Sequence, residues 1–178
     1  MNQLQDVTQD QLRDHLRDHL PDHPRDPRFR YEEDAGDAAP PPAAARPKLA
    51  VVVRDDLLVW QKLNVTAFLT SGFGVRDPGL VGAPYVDGDG RRYQAMFAQP
   101  VAVLAADAAG LRRAFDRALA RDLDVAVYTD DLFATGNDAD NRAAVAAVAT
   151  GDLVLAGFAV CGERRAVDKA LDRLRLHP

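Results

Sequence analysis

Side chains that could carry out chemistry collect in two stretches of the chain, residues 54–64 and residues 129–141. The first stretch holds Arg54, Asp56, Trp60, Lys62 and Asn64. The second holds Asp131, Phe133, Thr135, Asp138 and Asn141. In one interpretation they form a hydrolase site, in which Lys62 would stabilise developing negative charge, Asp131 would orient water or a proton, and Thr135 would hydrogen-bond an acyl group.

The other seven residues of this set are expected to bind a ligand. Trp60 and Phe133 would supply apolar walls and Arg54 would supply charge, which is the usual make-up of a small-ligand site. The further ligand-binding candidates are Asp56, Asn64, Asp138 and Asn141. A simpler interpretation competes with these assignments, because aspartate is a common helix cap and a lysine on a helix is usually solvated.

The histidines and the single cysteine limit the chemistry. All four histidines, at positions 15, 19, 23 and 177, lie outside the stretch that alternates strand and helix patterns. A Ser-His-Asp site, a Cys-His site or a histidine metal site cannot be assembled within that stretch. Cys161 follows an apolar run and is expected to be buried and inert.

The sequence contains neither a phosphate-binding loop nor a dinucleotide-binding glycine motif. We therefore expect neither a cofactor nor a metal ion. An oxygen-only magnesium or calcium site at Asp130, Asp131 and Asp138 is the one alternative left open, since such a site needs only carboxylates and carbonyls.

Composition indicates an ordinary globular protein. The 178 residues are 47% hydrophobic, and the formal net charge of −5 gives no general attraction to nucleic acid or anionic lipid. The chain lacks an apolar run of about 18 residues and an N-terminal signal peptide pattern. We therefore expect a cytoplasmic protein with a small-molecule ligand and no nucleic-acid or membrane partner, with a homodimer as an open alternative.

The first 47 residues differ in composition from the rest. They contain seven of the eleven prolines, ten acidic residues and six basic residues. Residues 1–47 are therefore predicted to be a disordered, acidic, proline-rich tail, with a marginal helix over residues 8–20 and a linker over residues 37–47. Residues 48–178 are predicted to form a single α/β domain.

Within this domain, strand and helix patterns alternate. Apolar runs predict strands at residues 48–54, 100–105, 124–129 and 153–160. Capped or amphipathic stretches predict helices at residues 58–71, 107–121, 138–149 and 163–174. The turn sequence at residues 87–90 predicts a hairpin insert. We therefore predict a three-layer α/β sandwich, with a mixed sheet of about four strands and helices on both faces.

The ends of these elements determine where the candidate residues meet. Asp55 and Asp56 are predicted to cap the first helix, and Gly72 and Gly74 are predicted to end it. The first and third strands each run into one of the two polar stretches. If these strands are parallel, both stretches meet at one edge of the sheet, where open α/β folds bind ligands.

Three stretches of the domain resemble a known bacterial family. They are KLAVVVRDDLLVWQKLNVTAFLTSG, PYVDGDGRRYQAMFAQPVAVLAAD and LFATGNDADNRAA. Together they resemble the domain-of-unknown-function family DUF2000 over residues 48–176, and by fold that family is placed with the type II peptidyl-tRNA hydrolases. The resemblance implies a mixed sheet of about four strands with helices on both faces.

The opening pattern of these hydrolases is similar to part of this sequence. The matching positions are Lys48, residues 51–54, Asp56 and Leu57. The functional lysine of the hydrolases falls on Leu63, or on Lys62 after a shift of one residue. Asp131 and Thr135 keep the spacing of a second hydrolase motif. The resemblance therefore makes peptidyl-tRNA-like ester hydrolysis an alternative function.

Three functions follow as alternatives. The first is hydrolysis of an ester or amide of a small molecule in a cleft at the carboxyl ends of the strands. The second is a non-catalytic small-ligand-binding or regulatory module that uses the same cleft. The third is peptidyl-tRNA-like hydrolysis, for which a basic stripe is expected, whereas residues 48–178 hold 17 acidic and 16 basic residues.

Overall fold

The computed structural model describes residues 46–178. The predicted tail, with its helix over residues 8–20 and most of its linker, lies outside the described residues. Chain contacts divide the protein into two units, of which the smaller is described only over Tyr85–Tyr93. The larger unit, called the body here, is described over residues 46–84 and 94–178.

The elements of the described residues follow in chain order. The strands are β1 (Lys48–Arg54), β2 (Tyr85–Val86), β3 (Arg92–Tyr93), β4 (Ala102–Ala106), β5 (Asp124–Thr129), β6 (Leu155–Gly162) and β7 (Arg175–Leu176). The α-helices are α1 (Val59–Arg76), α2 (Ala108–Leu119), α3 (Asp138–Ala146) and α4 (Arg164–Ala170). Short 3-10 turns lie at Pro78–Leu80, Asp130–Phe133 and Thr150–Asp152.

Five strands of the body form one mixed sheet in the order β5-β6-β1-β4-β7. Strand β1 is parallel to β4, while β6 is antiparallel to both β1 and β5. Because β6 opposes both neighbours, β1 and β5 run in the same direction and end at the same edge of the sheet. The two polar stretches of the sequence therefore start at one edge.

The predicted count of about four strands is one too low. The four predicted core strands are present, displaced by at most two residues, but the last helix ends at Ala170 instead of residue 174. The chain then turns at Arg173, whose φ of 68° lies in the left-handed region. This turn allows β7 to pair antiparallel with β4. A two-residue strand is too short to leave a sequence pattern.

The predicted ends of the first helix are also wrong. The residue that precedes α1 is Leu58, and Gln61 Oε1 accepts a hydrogen bond of 3.0 Å from Leu58 N, so neither Asp55 nor Asp56 caps the helix. The helix continues through Gly72 and Gly74 to Arg76. Phe73, between the two glycines, is buried in the core. Burial of this ring stabilises the last turns enough to outweigh the low helix propensity of glycine.

Helices cover both faces of the sheet, as predicted. Val65, Leu69 and Phe73 of α1 pack on one face. Phe115 of α2 and Val167 of α4 pack on the other face. The body therefore forms a three-layer arrangement whose core lies on the two sides of β1 and β6.

The unit at Tyr85–Tyr93 is the predicted hairpin, in which β2 pairs antiparallel with β3. Asp87 Oδ1 accepts hydrogen bonds from the backbone N–H groups of Asp89 and Arg91. Tyr93 donates its hydroxyl proton to Asp87 Oδ2 at 2.8 Å, and this bond is the main cause that lowers the pKa of Asp87. The residues that the sequence predicts to form the turn therefore form it.

Among residues 46–178, the helices are all too short or too polar to cross a membrane.

Gly157 of β6 allows α1 to lie close to the sheet. A Cβ atom at this position would meet Val52 O and Val65 Cγ1, both at 2.8 Å, and Leu69 Cδ1 at 3.4 Å. The first of these atoms belongs to the backbone of β1, which cannot move without breaking the ladder. The distance between α1 and the sheet is therefore set by the absence of a side chain at Gly157.

We predict that Gly157→Ala lowers the free energy of unfolding by about 2 kcal/mol, because the added methyl group overpacks the space under α1. Gly151→Ala is the matched control, since nothing lies within 4 Å of a Cβ atom at Gly151. It should change stability by less than about 0.5 kcal/mol. Urea denaturation measures both. Equal stabilities of the two variants would contradict the packing argument.

Candidate functional site

Arg54 joins the ends of three strands at one edge of the sheet. Its Nε donates to Asp56 Oδ1 at 2.6 Å, and its Nη1 donates to Asp130 Oδ2 at 2.9 Å. Nη1 also donates to the carbonyl of Leu155 in β6 at 3.1 Å. Burial acts to lower the pKa of Arg54, but the hydrogen bonds to Asp56 and Asp130 outweigh it and raise the pKa. The guanidinium therefore stays charged and fixes the two acidic loops.

The end of β5 carries buried polar atoms beside this ion pair. Thr129 is buried, and neither Thr129 Oγ1 nor Asp130 Oδ1 finds a hydrogen-bond partner within residues 46–178. The backbone N–H of Asp130 is satisfied by Val154 O at 2.9 Å. Unsatisfied buried oxygen atoms destabilise the turn, whereas the ion pair of Asp130 Oδ2 with Arg54 acts in the opposite direction.

Aromatic rings link α1 to β5 and to the turn that follows it. The centroid of Phe133 lies 5.9 Å from that of Trp60 and 5.0 Å from that of Tyr128. Phe68 lies 5.9 Å from Tyr128 with nearly perpendicular rings. Asn64 Nδ2 donates to the Tyr128 hydroxyl at 3.2 Å. The structure thus brings the predicted residues Trp60, Asn64 and Phe133 together around Tyr128.

Tyr128 has a raised pKa. Burial is the main cause, and the hydrogen bond from Asn64 acts in the opposite direction. The phenol therefore keeps its proton at neutral pH. Because its oxygen accepts from Asn64, the hydroxyl proton is left to be donated elsewhere.

The start of α3 holds the remaining candidates of the second stretch. Thr135 Oγ1 lies within hydrogen-bond distance of Leu132 O, at 2.9 Å, and of Asn141 Oδ1. Asp138 forms an ion pair with Arg142 one turn further along the helix. The hydroxyl of Thr135 is thus used to fix the turn against α3.

Lys62 and Asp131 lie apart from these clusters. Lys62 is half-buried and Asp131 is exposed, and neither side chain makes a hydrogen bond or ion pair with any other described residue. Residues two apart on a helix project about 200° apart, and Asn64 faces Tyr128 of β5. Lys62 therefore does not share the direction in which Asn64 points at Tyr128, and it is absent from the hydrogen-bonded cluster around Thr135. Leu63 points to solvent.

A groove of about 510 Å³ opens between α1, β5 and α3. It runs along β5, which is the edge strand of the sheet. Its walls include Phe68, Tyr128, Leu132 and Val145, and its polar lining is Asp138, Asn141 and Arg142. Two of the predicted ligand-binding residues, Asp138 and Asn141, thus line the groove.

Sequence reasoning missed the main walls of this groove. Phe68 and Tyr128 were parts of a helix and a strand with no motif, and Val145 belonged to an Ala/Val run. One available signal was a tyrosine near the end of an otherwise aliphatic strand. A buried tyrosine needs a hydrogen-bond partner, and the partner is the predicted residue Asn64.

Cys161 lies on β6 beside a smaller cavity of about 160 Å³. It is buried, as predicted, and burial is the main cause that raises the pKa of its thiol. Within the described part of the chain, no group of three or more His, Cys, Asp or Glu side chains is arranged to hold a metal ion.

Residues 47–178 match the family described as "Protein of unknown function (DUF2000)". The chain belongs to the DUF2000 family. This DUF2000 chain is also similar to a solved structure of a protein of unknown function, Atu0240, from Agrobacterium tumefaciens strain C58. The two are 41% identical with a TM-score of 0.72, and the match covers 75% of this chain and 98% of that chain. No curated protein matches the DUF2000 chain.

We predict that Asp130→Ala destabilises the protein by about 1–2 kcal/mol, because Arg54 is largely buried and loses one of its two carboxylate partners. Asp131→Ala is the control, since the adjacent carboxylate is exposed. It should change the free energy of unfolding by less than about 0.5 kcal/mol. Thermal and urea denaturation of both variants test this. A similar loss in both would contradict the role given to the ion pair.

Proposed function

We propose that this protein is a small-ligand-binding module and that the groove between α1, β5 and α3 is its site. The groove itself is the observation that carries the proposal. Its volume of about 510 Å³ falls within the range of roughly 300–1,000 Å³ that small-molecule sites occupy. The cavity beside Cys161, at about 160 Å³, is too small for an organic ligand of ordinary size.

The lining of the groove supports a ligand with a flat apolar body. Phe68 and Tyr128 offer aromatic surfaces, and Leu132 and Val145 offer aliphatic surfaces. Burial of an apolar ligand against such walls contributes about 25 cal/mol for each Å² removed from water. The body of the ligand would therefore supply most of its affinity.

The polar side of the groove supports an anionic group on the ligand. Arg142 is held by Asp138, but both side chains are about three-quarters exposed. An exposed ion pair of this spacing contributes only about 0.3–0.5 kcal/mol. Arg142 could therefore turn to a carboxylate or sulfonate on the ligand at little cost. Asn141 adds an amide at the same wall.

The state of the predicted catalytic residues supports binding without turnover. The hydroxyl of Thr135 already has two acceptors within hydrogen-bond distance, Leu132 O and Asn141 Oδ1. The Lys62 side chain makes no hydrogen bond or ion pair with any other residue of 46–178 and is not part of the groove lining. A nucleophile or oxyanion donor has to reach the reacting atom, and neither residue lines the groove.

The proposal predicts that 1-anilinonaphthalene-8-sulfonate, an aromatic anion, binds with one-to-one stoichiometry and that Ala146→Phe weakens binding about tenfold or more. Ala146 lines the groove, whereas Ala143 is an exposed alanine of the same helix outside the lining. Ala143→Phe is therefore the matched control and should bind within about twofold of the parent chain. Probe fluorescence measures all three proteins. Equal affinity in the two variants would reject the groove as the site.

A second candidate function is hydrolysis of an ester or amide of a small molecule. One observation favours it: the ion pair between Arg54 and Asp130 joins the ends of β1 and β5 at a single edge of the sheet. The resemblance of residues 48–57 to the opening of type II peptidyl-tRNA hydrolases adds support for a related fold and chemistry. The near-balanced charge of residues 48–178 favours a small substrate over tRNA.

Under this second candidate, the chain should hydrolyse p-nitrophenyl acetate, and Lys62→Ala and Thr135→Ala should each lower kcat/KM about 100-fold. Lys169→Ala is the control, because Lys169 lies on α4 among exposed residues. Circular dichroism would verify that the variants fold. Equal rates in the parent chain and all variants would reject hydrolysis and leave ligand binding as the function.

A further inference from the structure

The outer face of α1 is unlike that of the other helices. Every fourth residue along it is exposed and uncharged, and these residues are Val59, Leu63, Ala67, Ser71 and Val75. A parallel row adds Trp60, Phe68 and Gly72, which are also exposed. In contrast, exposed positions of α2, α3 and α4 include arginine and aspartate. These eight residues of α1 are called the outer face below.

The outer face is large enough to form a stable interface. The exposed fractions are 74% for Val59, 58% for Trp60, 68% for Leu63, 56% for Phe68 and 85% for Val75. On side chains of this size they amount to about 600 Å² of mainly apolar surface. A patch this large is at the upper limit for a monomer. With the small residues between, it approaches the ~800 Å² that each partner buries in a standard interface.

The outer face is complementary to itself when two copies of α1 pack antiparallel. A two-fold axis at Ala67 would place Leu63 of one copy against Ser71 of the other, and Val59 against Val75. The large side chain of Leu63 thus meets the small side chain of Ser71, and the two valines meet each other. Each contact occurs twice, as in any isologous interface.

Charges at the two ends of α1 suit the same arrangement. Asp55 is exposed just before the helix, whereas the neighbouring Asp56 is already bound to Arg54. Arg76 ends the helix and stays largely exposed while it pairs with Asp124 at 2.6 Å. Antiparallel packing places the end of one helix, which carries Arg76, beside the start of the other, which follows Asp55, and it also opposes the two helix dipoles. A parallel arrangement would bring like charges together.

From these observations we infer that the outer face of α1 binds a second copy of this chain, forming a two-fold homodimer through antiparallel α1 helices. The area argues for a protein partner, and the steric and charge match of the face with itself identifies that partner as the same chain. This inference is independent of the proposed ligand groove, since seven of the eight residues of the outer face lie outside the groove lining.

Sedimentation equilibrium of the full chain tests the dimer. The parent chain should be dimeric at 10 µM, and Leu63→Glu should raise the dimer dissociation constant about 100-fold or more by placing a carboxylate in the apolar interface. Leu119→Glu is the matched control, because Leu119 is an exposed leucine at the end of α2. It should leave the dissociation constant within about threefold.

A charge exchange tests the antiparallel geometry. Leu63→Glu and Ser71→Lys should each weaken the dimer, and the double variant should recover at least about tenfold of the lost affinity through two new ion pairs across the axis. Positions 63 and 71 are about 12 Å apart along one helix, so the recovery cannot arise within a single chain.

Three results would overturn the inference. A parent chain that is monomeric at 100 µM excludes the dimer. Coverage of the outer face by residues 1–45 of the same chain would give this result. A dimer that survives Leu63→Glu lies on another surface. A double variant no tighter than Leu63→Glu alone excludes the antiparallel register.

Discussion

The antiparallel insertion of β6 between β1 and β5 is the constraint on which the rest of the structure depends. Strand β6 is buried along seven of its eight residues and pairs with both neighbours. It gives β1 and β5 a common direction, so that Arg54 and Asp130 meet at one edge. Its Gly157 also sets how closely α1 approaches the sheet. A change in the β6 register would separate the polar loops and displace α1 together.

The position of α1 then determines both candidate surfaces. Because Val65 and Leu69 are buried against β1 and β6, the flank that carries Asn64 and Phe68 turns towards β5. Contact with Tyr128 on that flank forms one wall of the groove. The same rotation of the helix directs Leu63 to solvent. The packing of α1 on the sheet, which is set in the core, therefore determines the direction of side chains that themselves lie outside the core.

Much of the fold could be predicted from the sequence, and the candidate site only in part. Apolar runs such as residues 48–54 have one plausible structure, and Asp-Gly pairs specify a tight turn. The extension of α1 through Gly72 could not be foreseen, because the burial of Phe73 is a tertiary effect. The sequence could place Trp60 and Phe133 in the two polar stretches. It could not show in which direction Lys62 points, because that direction depends on how α1 packs against β5.

The outer face of α1 shows why a sequence pattern alone could not separate core from interface. The predicted helix was apolar on most sides, and a helix of that kind is normally fully buried. In the structure, part of this apolar surface covers the sheet, while Val59, Leu63 and Val75 of the outer face remain largely exposed. Burial of either part is favoured by the same hydrophobic effect. The geometry of the sheet separates the part that folds the chain from the part that we infer to bind a second copy.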